Sequence, residues 1–176
     1  FSIASLMAAP LDATKTESLD WNWKFARFGK MPDGSTQPEP GKAMGFATAT
    51  SEESGNPADN AVDGDKSTRW CAASGKSGEK ITVDMGRPVD VKTVNILWEK
   101  QSNHLFKLEG SGDGKRWATI EDKTSGQNDS KEDTVENKTG KPRYFRITVT
   151  GNNQSNWASI REITFKNDKR EIIRPQ

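Results

Sequence analysis

Apolar and polar side chains alternate with a period of two along much of this chain. Nowhere do they hold a helical period for more than about two turns. The clearest case is 143–150 (RYFRITVT), where Phe145, Ile147 and Val149 face one way and Tyr144, Arg146 and Thr148 the other. Similar short runs at 43–50, 81–85, 91–99, 105–110, 116–121 and 159–166 predict further strands. Ser-Gly-Asp-Gly at 111–114 predicts a hairpin turn between two of them. The stretch 122–141 is polar throughout and predicts a long loop with at most a short strand. Short strands at this spacing predict an all-β protein built as a β-sandwich or jelly roll.

The two ends read differently. Residues 1–18 open on the apolar, Ala-rich FSIASLMAAP and then turn polar, which predicts a secretory-signal remnant followed by a disordered tail. A buried N-terminal element is the alternative. In 19–42, Leu19, Trp21, Trp23 and Phe25 alternate with Asp20, Asn22 and Lys24, and a Pro- and Gly-rich linker follows. An exposed aromatic sugar platform would show this pattern, but so would a core-facing strand, which is the commoner cause. Residues 168–176 form a C-terminal tail or return strand whose one apolar step is Ile172–Ile173, a candidate partner for the 19–28 strand.

Composition narrows the function. The chain has 176 residues, with 26 Lys+Arg against 25 Asp+Glu, a formal charge of +1. That balance argues against a dedicated nucleic-acid binder, which carries a strongly basic face. No run approaches the ~20 apolar residues of a membrane-spanning helix. A single cysteine, Cys71, excludes an intrachain disulfide and any multi-cysteine zinc site, and reads as a small buried residue. A single histidine, His104, argues against zinc catalysis by histidine ligands.

Residues 59–70 (DNAVDGDKSTRW) place Asp63 and Asp65 on either side of Gly64, with the Thr68 hydroxyl close behind. Hard cations such as Ca²⁺ take six to eight oxygen ligands, and a tight loop can supply several of them. The segment is not an EF-hand, because Thr68 and Ser74 stand where that motif needs Gly and Glu. Taken alone, an ordinary polar turn accounts for it at least as well.

A resemblance gives this loop a stronger meaning. ATATSEESGNPADNAVDGDKSTRWCA (from Ala47), ITVDMGRPVDVKTVNILWE (81–99), LEGSGDGKRW (108–117), RYFRITVTG (143–151) and WASIREITF (157–165) occur in the order seen in discoidin-type domains. These are also called coagulation factor 5/8 type C domains, and their bacterial members are the family 32 carbohydrate-binding modules. The chain therefore resembles a discoidin-type, galactose-binding-domain-like jelly roll over 43–167, with short flanking strands. The resemblance implies a structural Ca²⁺ held by the Asn60 carbonyl, the Asp63 carboxylate, Asp65, Thr68 and Glu162. It also implies that Trp70 and Trp117 are structural.

A sugar site combines an aromatic face with a few directed polar groups. The candidates are Trp98, Glu99, Asn103 and His104 after strand 91–99, Lys131 (with Asn128) in the 122–141 loop, and Asn153 and Trp157 before the last strand, with Trp157 equally able to be structural. No nucleophile–base pair is visible, so the chain reads as a non-catalytic module. The implied partners are glycans ending in galactose or N-acetylgalactosamine, and attached glycoside hydrolase domains. LDWNWKFARFG resembles the first strand of the N-terminal jelly roll of family 2 glycoside hydrolases, the β-galactosidase group. The expected setting is secreted, periplasmic or cell-surface. The competing function is a structural insert or adhesion domain without sugar binding, but the polar loops lack the apolar spikes of a membrane-inserting discoidin domain.

Overall fold

The computed structural model describes residues 46–152 and 157–176. The expectations for 1–42, and for Asn153, lie outside the described residues. Ten strands are described: β1 (Ala47–Ala49), β2 (Trp70–Cys71), β3 (Glu79–Asp84), β4 (Thr93–Asn103), β5 (Leu105–Ser111), β6 (Ala118–Lys123), β7 (Asp129–Glu136), β8 (Tyr144–Gly151), β9 (Ser159–Lys166) and β10 (Ile172–Ile173). A 3-10 turn spans Ala58–Ala61. The first sheet runs β1-β3-β8-β5-β6 and the second β10-β9-β4-β7, with β2 on the edge of β9. The pairings are antiparallel, which makes this a jelly-roll sandwich.

Alternation explains why these segments are strands. On β8, Phe145, Ile147 and Val149 are buried while their neighbours face outward. The two inner faces lock through aromatic pairs, which prefer tilted contacts. Phe145 of β8 meets Phe165 of β9 at 4.8 Å and 45°. Trp98 of β4 meets Phe106 of β5 at 5.3 Å and 56°. Trp70 is fully buried, and its indole N–H donates to the Ser51 carbonyl at 3.1 Å.

One expectation is corrected. The polar stretch 122–141 contains β7, an eight-residue strand paired along β4. Its inward positions are Asp133 and Val135, so it lacks the apolar row that marks a strand in sequence. The pair Ile172–Ile173 extends the second sheet by pairing with Phe165 and Lys166 of β9, while its candidate partner 19–28 lies outside the described residues. The expected 111–114 hairpin is present. There the Asp113 carboxylate accepts the Lys115 and Arg116 backbone N–H groups at 2.9 and 2.8 Å, and Gly114 takes φ 70°. A left-handed residue at that point is easiest for glycine.

The strand directions place the loops. The β4–β5 corner (Asn103–Leu105), the β6–β7 loop and the chain after β8 gather at one end of the sandwich, because Leu105 pairs with Gly151. The β5–β6 turn lies at the other end, where Ser111 pairs with Tyr144.

Candidate functional site

At the first end, the structure separates the expected sugar ligands. Trp98 is fully buried, because β4 continues past it to Asn103 and turns its ring into the core. His104 is 6% exposed and stacks on Trp98 at 4.1 Å and 10°. Its Nε2 lies 2.9 Å from the Lys100 carbonyl. Burial holds the imidazole below its usual pKa and favours the neutral ring. Neither ring can meet a sugar, so both are withdrawn as ligands and belong to the floor beneath the loops.

That floor is a buried polar network. Asp133 accepts from the Trp98 indole at 2.7 Å, the Lys123 ammonium at 2.8 Å, the Asn128 amide at 2.7 Å and the Ser130 hydroxyl at 3.2 Å. Burial alone would raise the Asp133 carboxyl. The bonds from Lys123, Trp98 and Asn128 outweigh it and hold the group below the ordinary aspartate range. The network pins β7 and the β6–β7 loop to the core. The Asn103 side chain adds to it, accepting from the Asn128 backbone at 2.6 Å and donating to the Gly126 carbonyl at 3.1 Å.

The remaining expected ligands are accessible. Trp157 is 40% exposed, and its carbonyl accepts from the Asn152 amide at 3.1 Å. Lys131 is exposed on β7. Glu99 is half-buried, with one oxygen 3.8 Å from Arg69 Nε. Arg69 is not among the expected ligands, and alternation with the buried Trp70 puts it on the outer face. Its Nη2 lies 3.7 Å from Glu53, and its Nε is buried with no hydrogen-bond partner. Glu53, Arg69 and Glu99 therefore form a loosely bonded polar row across the end of β9. By register, Cys71 sits opposite Ser159, two residues from Trp157 and so about 7 Å along the strand.

Cys71 is buried beneath this row. Burial, then the Glu53 charge, pushes its thiol pKa up, so it is a poor nucleophile. Iodoacetamide at pH 8 is expected to leave Cys71 unlabelled in the native protein and to label it fully once denaturant is added.

The 60–68 loop gathers oxygens. Thr68 Oγ1 lies 2.9 Å from Asp63 Oδ2, 2.8 Å from the Asp65 carbonyl and 3.4 Å from the Asn60 carbonyl. One hydroxyl proton cannot serve three acceptors. The Asp65 carboxylate turns away to the Ser67 N–H and hydroxyl, which leaves its carbonyl facing the group. From β9, Glu162 (7% exposed) accepts the Gly64 N–H at 3.2 Å. Burial and then the Asp63 charge push the Glu162 carboxyl up to about 7. Among the described residues no three His, Cys, Asp or Glu side chains gather as a metal cluster. A cation here would therefore draw on two carboxylates, a hydroxyl and backbone carbonyls, an all-oxygen set that suits a hard ion such as Ca²⁺.

Two facing antiparallel sheets carrying such loops at one end define a β-sandwich binding domain. The chain belongs to the F5/8 type C domain family, whose model matches residues 46–163. It is similar to the family 32 carbohydrate-binding module of AlyQ, solved in complex with 4,5-unsaturated mannuronic acid, at 30% identity over 68% of this chain and 92% of that one, with a TM-score of 0.58. It is also similar to the module CpGH89CBM32-4 of Clostridium perfringens, solved with GlcNAc-α-1,4-galactose, at 26% identity over 66% and 85%, TM-score 0.59. A third neighbour is chitosan-binding module 1 from a chitosanase/glucanase of Paenibacillus sp. IK-5, at 26% identity over 69% and 93%, TM-score 0.62. No match was found among curated proteins. The chain is thus a carbohydrate-binding module by family, and such domains are generally non-catalytic. No helix among the described residues is long and apolar enough to cross a membrane.

Proposed function

We propose that this chain is a non-catalytic, Ca²⁺-stabilised module that binds galactose-like glycan ends through the loop end carrying Trp157. The observation that carries the reading is the exposed Trp157 ring beside an otherwise polar rim. An indole face stacks on the C–H face of a sugar, and galactose offers an unbroken one. Glu99, Arg69 and Lys131 would supply the directed polar contacts, with the Asp133 network holding the β6–β7 loop in place. Binding comes from one ring and a few hydrogen bonds, so a single site is weak, roughly 10⁻³ to 10⁻⁵ M.

Ca²⁺ would be held by Asp63, Glu162, the Thr68 hydroxyl and the Asn60 and Asp65 carbonyls. Its role is to neutralise the paired carboxylates and tie the 60–68 loop to β9. The module would be exported and attached to a glycoside hydrolase, raising the enzyme's effective concentration at its substrate. The sugar complexes of the neighbouring modules support a glycan ligand in general; galactose rests on the family resemblance.

The test is a glycan array with Ca²⁺ present, carrying galactose- and N-acetylgalactosamine-ended glycans beside uronate and chitosan oligosaccharides. Binding confined to the first two is the expected result. Silence on every glycan from folded protein would leave a structural insert as the function. Trp157→Ala is expected to weaken binding roughly 30-fold, about 2 kcal/mol, as loss of an interface anchor does. Its melting temperature should match wild type, because an exposed ring contributes little to the core.

A further inference from the structure

At the other end of the sandwich, a cleft of about 270 Å³ lies between the β5–β6 turn and the chain leading into β8. Gly110, Ser111, Gly112, Arg116, Trp117 and Ala118 form one wall, and Thr139, Lys141 and Pro142 form the other. Its volume falls just under the ~300 Å³ at which pockets for drug-sized ligands begin, so it suits one sugar unit. We propose that this cleft is a second saccharide subsite, selective for a uronic acid residue. The proposal rests on the carbohydrate-binding reading above but uses none of the same residues.

Three features carry it. The first is a half-buried aromatic ring held in place by a cation stacked on one face. The Arg146 guanidinium lies 3.9 Å from the Trp117 ring, and Arg146 is itself fixed to Glu109 by bonds of 3.0 and 2.8 Å. A ring oriented in this way loses little freedom when a sugar stacks on it.

The second is charge. Arg116 and Lys141 line the cleft with side chains 94% and 65% exposed, and no acidic side chain lines it. The carboxylates that pair with these two cations are also engaged elsewhere. Asp113 is turned into the hairpin and meets Arg116 only at Nε, 3.1 Å away. Asp90 pairs first with Lys92 at 2.9 Å and reaches Lys141 only at 3.8 Å.

The third is that the neutral hydroxyls of the cleft are already committed. Ser111 Oγ accepts the Gly114 N–H at 2.9 Å and lies 3.2 Å from Asp113. Thr139 Oγ1 donates to Asn137 at 2.7 Å. Apart from the Trp117 indole N–H, the side-chain donors left for a ligand are cationic, and a cation gains more from a carboxylate than from a sugar hydroxyl. A neutral hexose would forgo that gain.

This cleft and the Trp157 loops lie at opposite ends of β5, a seven-residue strand about 20 Å long, so a trisaccharide cannot occupy both. The probes are trigalacturonate and its neutral counterpart, galactotriose, titrated into ¹⁵N-labelled protein. Trigalacturonate is expected to shift the Trp117 indole N–H and the backbone of 110–118 and 139–142. Arg116→Gln with Lys141→Gln should weaken that binding at least tenfold, as should 0.5 M NaCl, while Trp157→Ala leaves it intact. Both changed side chains are exposed, so the double variant keeps its fold. The proposal is overturned if trigalacturonate shifts only the Trp157 loop, if the double variant binds it as wild type does, or if galactotriose binds the cleft equally well. Galactotriose binding at the Trp157 loop with no trigalacturonate response would remove this subsite and leave the proposed function standing.

Discussion

Asp133→Ala is expected to lower stability by about 3 kcal/mol, the scale for breaking a buried ion pair by removing one partner. The carboxylate is 3% exposed and serves three donors at once, with the Ser130 hydroxyl shared between it and the Glu132 carbonyl. Without it the Trp98 indole N–H is left unpaired in the core, and Lys123, 30% exposed, loses its counter-charge. Each orphaned donor costs about 1–3 kcal/mol, moderated where water reaches Lys123. For a domain of this size the melting temperature should fall by roughly 10 °C. Asp133→Asn keeps the shape and an acceptor oxygen but not the charge, and should cost about half as much. The Asp133 carboxyl is held below its unfolded value, so its contribution is present above about pH 4 and is lost as pH falls through the folded pKa. Acid unfolding of the Asn variant should therefore lack part of the wild-type loss below pH 4. Equal melting temperatures for wild type and the Ala variant would contradict this account of β7.

The same residue explains what the sequence conceals. Strands that face the core with apolar side chains were legible from alternation, as at Phe145, Ile147 and Val149. β7 was not, because Asp133 holds an inward position that is tolerable only through its donors, of which Trp98 and Lys123 lie on other strands. Trp98 illustrates a second limit. An aromatic followed by Glu99 and a polar run looks like the start of a loop, yet β4 runs on to Asn103 through an irregularity between Leu97 and Ser102. Bulges of this kind re-aim side chains and leave little trace in composition. Arg69 hid for another reason, since its partners Glu53 and Glu99 lie on separate elements. The oxygen-rich loop was the most legible part of the site, because most of its atoms come from one short segment. Glu162 came only from the family resemblance, as nothing near it in sequence points to Gly64.

Removing Ca²⁺ is expected to produce the largest single change in stability. A ligand that binds only the folded state adds about 4 kcal/mol at a thousandfold excess over its dissociation constant. EDTA should then lower the melting temperature by roughly 15 °C, and added Ca²⁺ should restore it. The effect should depend on pH with a definite sign. In the metal-free protein the Glu162 carboxyl titrates at about 7, above its unfolded value. A raised carboxyl favours the folded state below the unfolded pKa, and that advantage is lost as pH rises from about 4.5 through 7. The metal-free protein should thus weaken toward alkaline pH. Ca²⁺ needs the ionised form, so its affinity should fall roughly 100-fold from pH 8 to pH 5, with a proton released on binding at the lower pH. Glu162→Gln separates the two effects. It removes the repulsion with Asp63, so this variant in EDTA at pH 8 should melt above wild type in EDTA, while its response to Ca²⁺ is largely lost. Calorimetry of both proteins with and without Ca²⁺ reads all of these outcomes. A wild-type melting temperature indifferent to EDTA and Ca²⁺ would reduce the 60–68 loop to a polar turn, tied to β9 by the Gly64–Glu162 hydrogen bond and by the Arg161 guanidinium on the Lys66 and Ser67 carbonyls.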